Sequence, residues 1–174
     1  MRKIQILILS LLLLMTGCSK AKTPVETDNV PKETEQTSNT IQNIKRASLD
    51  DNGNIVINKA DITTDATYID YEYDGVDIGL LAVRDSDDKV KVVVNTCQAC
   101  SGSPLAYFVQ IGKRIQCQNC KNSFNINDLD NLVEYSCNPL VIENKVETED
   151  TITIEVEQLQ LLKSNFENWQ GQKA

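Results

Sequence analysis

Two cysteine pairs, Cys97-Gln98-Ala99-Cys100 and Cys117-Gln118-Asn119-Cys120, constrain the fold of this chain more than any other feature. They follow the pattern C-x2-C-x16-C-x2-C, and sixteen residues separate the last of these from Cys137. A C-x2-C pair at a turn can aim both sulfurs at one centre, and two such turns at the ends of a hairpin can close a tetrahedron. The interval of sixteen residues falls in the zinc-ribbon range. Each pair is followed by small or turn-forming residues, Ser101-Gly102 and Lys121-Asn122. These let the backbone curl so that its N–H groups reach the sulfurs.

Two other readings of the pairs stay open. In an exported chain, paired cysteines are by default disulfides. Five domain cysteines cannot all pair, however, and a domain of this size builds a core without covalent staples. A redox dithiol also uses C-x2-C, but at a helix N-terminus where the dipole lowers the first thiol's pKa. Ser101-Gly102-Ser103-Pro104 cannot make that helix, and residues 121–126 are poor helix formers. A metal site at Cys97, Cys100, Cys117 and Cys120 is therefore the first expectation. The chain has no histidine, which excludes Rieske-type clusters and His-dependent zinc enzymes. Four thiolates suit iron, an iron–sulfur centre or zinc. They leave no position open for water, so an accessory role in metal binding or electron transfer is expected over enzymatic hydrolysis. Cys137, in Ser136-Cys137-Asn138-Pro139, reads either as a buried thiol or as a further ligand.

Export is read from the N-terminus. Arg2 and Lys3 precede an apolar run over residues 4–14, too short to span a bilayer as a helix. Thr16-Gly17-Cys18 follows and resembles a bacterial lipobox, which implies a signal peptide over residues 1–17 and lipidation of Cys18. The alternative is an ordinary signal peptide that ends near a cysteine. A lipid would hold the protein on the membrane surface without a spanning helix, which places it on the outer face of a bacterial cytoplasmic membrane. Residues 18–47 are rich in Thr, Glu, Asn, Lys and Pro and read as a disordered linker. Residues 48–170 remain as one domain. Without residues 1–17, 15 basic residues face 25 acidic ones. No basic stripe is present for a nucleic-acid backbone, so that class of partner is set aside.

The domain reads as mainly β (α+β): antiparallel meanders and hairpins, a cysteine-bearing hairpin region and a C-terminal helix. Residues 55–57 form a short strand candidate. Residues 66–73 alternate Tyr68, Asp70 and Glu72 with Ile69, Tyr71 and Tyr73, the period of a strand. Asp74-Gly75 is a hairpin turn signal before a return strand over 76–83. A strand over 90–94 leads to Cys97. A hairpin over 107–116 around Gly112-Lys113 leads to Cys117. Residues 127–132 read as one helical turn capped by Asn127. Residues 140–146 and 151–156 read as two strands, and 157–169 as a helix with Leu159, Leu162, Phe166 and Trp169 on one face.

Taken together, the Tyr-rich strand, CQAC, the Tyr-containing hairpin, CQNC followed by Phe124, and CNP resemble the FtrD-like family over roughly residues 53–165. The family comprises bacterial membrane proteins or lipoproteins described as iron–sulfur containing and often associated with iron-transport systems. The resemblance implies that Cys97, Cys100, Cys117 and Cys120 bind metal and that Cys137 belongs to the same signature. It also implies an iron permease or redox partner. The chain departs from the family pattern in two places. Tyr135-Ser136 stand where the family usually has two glycines before CNP, and Lys121 stands where many members have glycine. The expected function is electron transfer or iron handling at the cell envelope. The alternatives are a binding module with a structural zinc and a thiol–disulfide oxidoreductase.

Overall fold

The structure, a computed structural model, describes residues 43–129, 131 and 136–174. The expected signal peptide, the lipidation site at Cys18 and most of the expected linker lie outside the described residues. Twelve strands are present among those described: β1 (Asn43–Arg46), β2 (Ser48–Leu49), β3 (Ile55–Asn58), β4 (Thr67–Tyr73), β5 (Val76–Arg84), β6 (Val90–Cys97), β7 (Phe108–Ile111), β8 (Arg114–Cys117), β9 (Ser123–Asn125), β10 (Pro139–Val141), β11 (Lys145–Glu147) and β12 (Thr151–Ile154). Two short helices follow, α1 (Glu157–Gln160) and α2 (Lys163–Phe166).

The strands form three sheets. A five-stranded sheet has the order β1-β4-β5-β6-β10, a four-stranded sheet β11-β12-β3-β2, and a small sheet β7-β8-β9. The pairing is antiparallel apart from the parallel pair of β1 with β4. The five-stranded sheet is the middle layer, because consecutive side chains of a strand leave it on opposite faces. Ile69, Ile78, Leu80, Ala82, Val92 and Val94 pack with Ile55, Ile57, Ile152 and Ile154 of the four-stranded sheet and with Leu159, Phe166 and Trp169. On the other face, Tyr68, Leu81, Val83 and Val93 pack with Phe108 and Ile115 of the small sheet. Burial on both faces accounts for β6, in which all eight residues are buried, and for the continuous Val run that encodes it.

The mainly β fold with antiparallel sheets is as the sequence indicates, and four element assignments change. Residues 43–46, expected in the linker, form β1. Asn43, Ile44, Lys45 and Arg46 pair with Thr67, Tyr68, Ile69 and Asp70, so this polar segment is ordered by the sheet edge it covers. The expected strand over 140–146 divides into β10, which pairs with β6, and β11, which pairs with β12. The expected turn over 127–132 is a 3-10 turn, Ile126–Asp128, capped by the Asn125 side chain accepting from the Asn127 N–H.

The fourth change is at the C-terminus. The expected helix over 157–169 breaks between α1 and α2, where the Leu162 and Asn165 N–H groups donate to carbonyls three residues back, at Leu159 and Leu162. Its apolar face survives, with Leu159, Phe166 and Trp169 buried. Trp169 anchors the segment beyond the break. Its ring lies over Gly79 of β5, where an added Cβ would fall 2.5 Å from Cη2. Its Nε1–H donates to the Asn95 carbonyl of β6 at 3.1 Å.

Candidate metal centre

The cysteines end two strands that belong to different sheets. Cys97 is the last residue of β6, and a single 3-10 turn, Gln98–Cys100, follows it. Cys117 is the last residue of β8, opposite Phe108 of β7. After it the chain turns back on itself. The Cys117 N–H donates to the Asn122 carbonyl at 2.9 Å and the Lys121 N–H to the Cys117 carbonyl at 3.0 Å. This tight turn places Lys121 at φ 63°, the left-handed region that favours glycine. The first turn meets the same need with Gly102, at φ 84°.

One further bond closes the first turn, and two join it to the second. The Cys97 N–H donates to the Ala106 carbonyl at 3.1 Å, and the Gln118 N–H to the Tyr107 carbonyl at 2.8 Å. The Ser103 hydroxyl donates to Asn119 Oδ1 at 2.9 Å. Behind β6, buried Asn95 accepts from the Phe108 N–H at 2.8 Å and donates to Gln172 Oε1 at 3.0 Å. The turns are therefore held relative to each other by backbone bonds as well as by apolar packing.

The Sγ atoms of Cys97, Cys100, Cys117 and Cys120 all lie within 4.8 Å of one another. Cys97 and Cys117 are fully buried, and Cys100 and Cys120 are half-buried toward solvent. Backbone N–H groups point at the sulfurs: that of Cys100 at Cys97, those of Cys120 and Asn119 at Cys117, and that of Asn122 at Cys120. Such donors stabilise thiolate and tune whatever the thiolates hold. Burial pushes the Cys97 and Cys117 thiols above their ordinary value, against these donors. Burial also acts on Cys120, but the Asn122 N–H and the neighbouring thiols outweigh it and hold Cys120 below its ordinary value. A cation at the centre would reverse the penalty at the two inner sulfurs, because a bound metal deprotonates a coordinating thiol.

Cys137 arrives by a different route. Pro139 of β10 pairs with Cys97, and the Gln98 N–H donates to the Asn138 carbonyl at 3.0 Å. This brings the half-buried Cys137 thiol against Cys120 and Cys97. It is nevertheless not a member of the group of four sulfurs that share the 4.8 Å limit. Burial and the adjacent Cys120 push its thiol up.

The donor set fits a metal. It comprises four thiols, two of them buried, converging on one point with N–H groups behind them, and no histidine or carboxylate is needed to complete it. Comparison with known families gives the same direction. The model of the family described as membrane iron-sulfur containing protein FtrD-like matches residues 63–166. The chain belongs to this FtrD-like family. The match begins just before β4 and ends at α2, so it takes in β4, β5, β6 and β10 of the middle sheet, both cysteine turns and Cys137. Lys121, expected from the resemblance to depart from a glycine position, adopts the left-handed backbone that glycine takes without strain. Neither a curated protein nor a solved structure matches the chain.

The residues after the second pair are expected to turn an N–H group toward the sulfurs, and that of Asn122 does so; the contributions of Asn119 and Ser103 were not singled out from the sequence. The signal available was their position, within two residues of Cys120 or in the loop that faces it. Such polar residues are common in turns, so position alone does not separate a sulfur donor from a turn former.

Proposed function

We propose that this protein is a lipid-anchored component of the bacterial cell envelope. In this reading its four-cysteine centre holds iron and passes electrons beside an iron-transport permease. The observation that carries the reading is the convergence of four thiols, two buried and two half-buried, enough to fill a tetrahedral ion, with no carboxylate in the group among the described residues. A closed thiolate set binds no substrate and supports no hydrolysis, which leaves holding a metal or exchanging an electron. Iron in such a set supplies a one-electron couple. The chain's own contribution is threefold. The buried Cys97 and Cys117 keep water from one side, the half-buried Cys100 and Cys120 bring the centre to the surface, and the N–H donors set its potential. The membrane attachment draws on the family's description and on the pattern ending at Cys18. Among the described residues, no helix is long and apolar enough to cross a membrane.

The test is anaerobic purification of the full chain, with elemental analysis and an optical spectrum taken before and after dithionite. A coloured protein that bleaches on reduction and recovers on oxidation supports the proposal. A colourless protein holding zinc rules out electron transfer and leaves the structural-zinc reading. One observation favours that second reading: Cys97 and Cys117 belong to different sheets, so an ion between them would cross-link the middle sheet to the small one.

A further inference from the structure

The cysteine geometry bears on how many metal ions the centre contains. For one ion bound to four thiolates by metal–sulfur bonds of about 2.3 Å, neighbouring sulfurs sit about 3.8 Å apart, the edge of the tetrahedron. A four-iron cluster is a larger tetrahedron, with each thiolate on its own iron. Its sulfur–sulfur distance is that same edge plus the whole iron–iron separation. The four Sγ atoms here lie within 4.8 Å of one another, which leaves only about 1 Å for the iron–iron separation. Two iron atoms cannot approach that closely. A two-iron cluster separates its two thiolate pairs in the same sense. A wider spacing would require the cysteine side chains to rotate away from one another, because the turns that carry them are anchored. Cys97 and Cys117 are fully buried, and their backbones are held by the bonds to Ala106 and Asn122.

We infer that the centre takes a single tetrahedral ion bound by Cys97, Cys100, Cys117 and Cys120, without inorganic sulfide, and that Cys137 is a neighbour of the site and not a ligand. Four thiolates saturate one tetrahedral ion. The fifth thiol, although in contact with Cys120 and Cys97, stands outside the group that shares a centre. The inference rests on the metal-binding reading above and specifies it: the iron–sulfur bonds of this chain are bonds to cysteine alone.

The test is reconstitution of the reduced full chain with iron(II), once alone and once with added sulfide, beside a control that offers equal iron(II) and zinc(II). Native mass, iron content and acid-labile sulfide are then measured, for the wild type and for Cys137→Ser. The expected result is one iron per chain and no labile sulfide in either mixture, with the same mass increment and spectrum in Cys137→Ser. Two or four irons with matching sulfide would overturn the single-ion inference while leaving the electron-transfer reading intact. Loss of the iron in Cys137→Ser, with the wild type holding one, would overturn the exclusion of Cys137. A chain that binds neither iron nor zinc while its thiols are reduced would overturn both the inference and the function on which it rests. A single zinc bound in place of iron would uphold the inference and remove the electron-transfer reading.

Discussion

Lys121 holds a backbone conformation that costs an L-residue roughly 1–2 kcal/mol. The turn requires it, because the left-handed residue carries the Asn122 N–H round to the Cys120 sulfur. Lys121→Gly should therefore stabilise the folded chain by about 0.5–1 kcal/mol, the strain relieved less the extra chain entropy of glycine. Denaturant unfolding at fixed metal content measures it, and an unchanged or lowered midpoint would count against a strained turn. Asp70 is a second residue out of keeping with its surroundings. It is buried on β4, its Oδ1 has no hydrogen-bond partner, and its Oδ2 accepts from the Ala174 N–H. Burial raises its pKa, with Asp77 adding to the rise against the Ala174 N–H, Arg46 and Lys173. An acid whose folded pKa is raised contributes stability that is complete below its unfolded pKa of about 3.9 and is lost as pH rises through the folded value. Asp70→Asn should thus raise the melting temperature at pH 7, by an amount equivalent to about 1 kcal/mol, and make no difference near pH 3. A pH-independent effect would point to a packing change instead.

At the scale of elements, the C-terminal segment and β5 fit together through one side chain. The Trp169 ring occupies space that only glycine leaves free at position 79, meets Phe166 edge-on at 5.2 Å between ring centroids, and donates to Asn95. Gly79→Ala should cost about 1–3 kcal/mol by overpacking, and Trp169→Ala about 3–5 kcal/mol. The double variant should cost less than the sum, since both changes act on one contact. Additive costs would show that the ring does not depend on Gly79. Much of this architecture was legible in advance, because period-two alternation and Asp74-Gly75 are local signals that the β4–β5 hairpin obeys. The break between α1 and α2 was not legible. A stripe at helical spacing is satisfied by a regular helix, and equally by two short helices joined through bonds to the third residue back. The bonds at Leu162 and Asn165 take the second form, and beyond them Trp169 seats its ring over Gly79.

For the whole molecule, the candidate centre lies between two of the three sheets. Metal removal should loosen β7, β8 and β9 before the middle sheet, whose other face is packed on the four-stranded sheet. With free metal a thousandfold above its Kd, the linked stabilisation is about 4 kcal/mol. Chelation should accordingly lower the melting temperature and speed amide exchange in residues 106–125, with little change over β4 and β5. Uniform loss of protection would show that the layers unfold as one unit. Because burial raises the Cys97 and Cys117 thiols, the ion must displace protons from them. Metal affinity should weaken as pH falls, by about tenfold per proton displaced for each unit of pH. A competition titration with a chromophoric chelator at two pH values measures this.

The sequence alone determined the donor set, its chemistry and the main strands. These depend on residue identity and on spacing within a few positions: C-x2-C, the lack of histidine, Val runs and turn dipeptides. Tertiary structure decided what brings distant segments together. The edge of β4 ordered Asn43–Arg46, a stretch too polar to read as a strand. Pairing of Pro139 with Cys97 delivered Cys137 to the site, yet left its sulfur outside the four that converge. Spacing along the chain cannot convey that difference. Whether a sulfur reaches a common centre depends on distances of an ångström or two across the fold, and those follow from how the sheets pack.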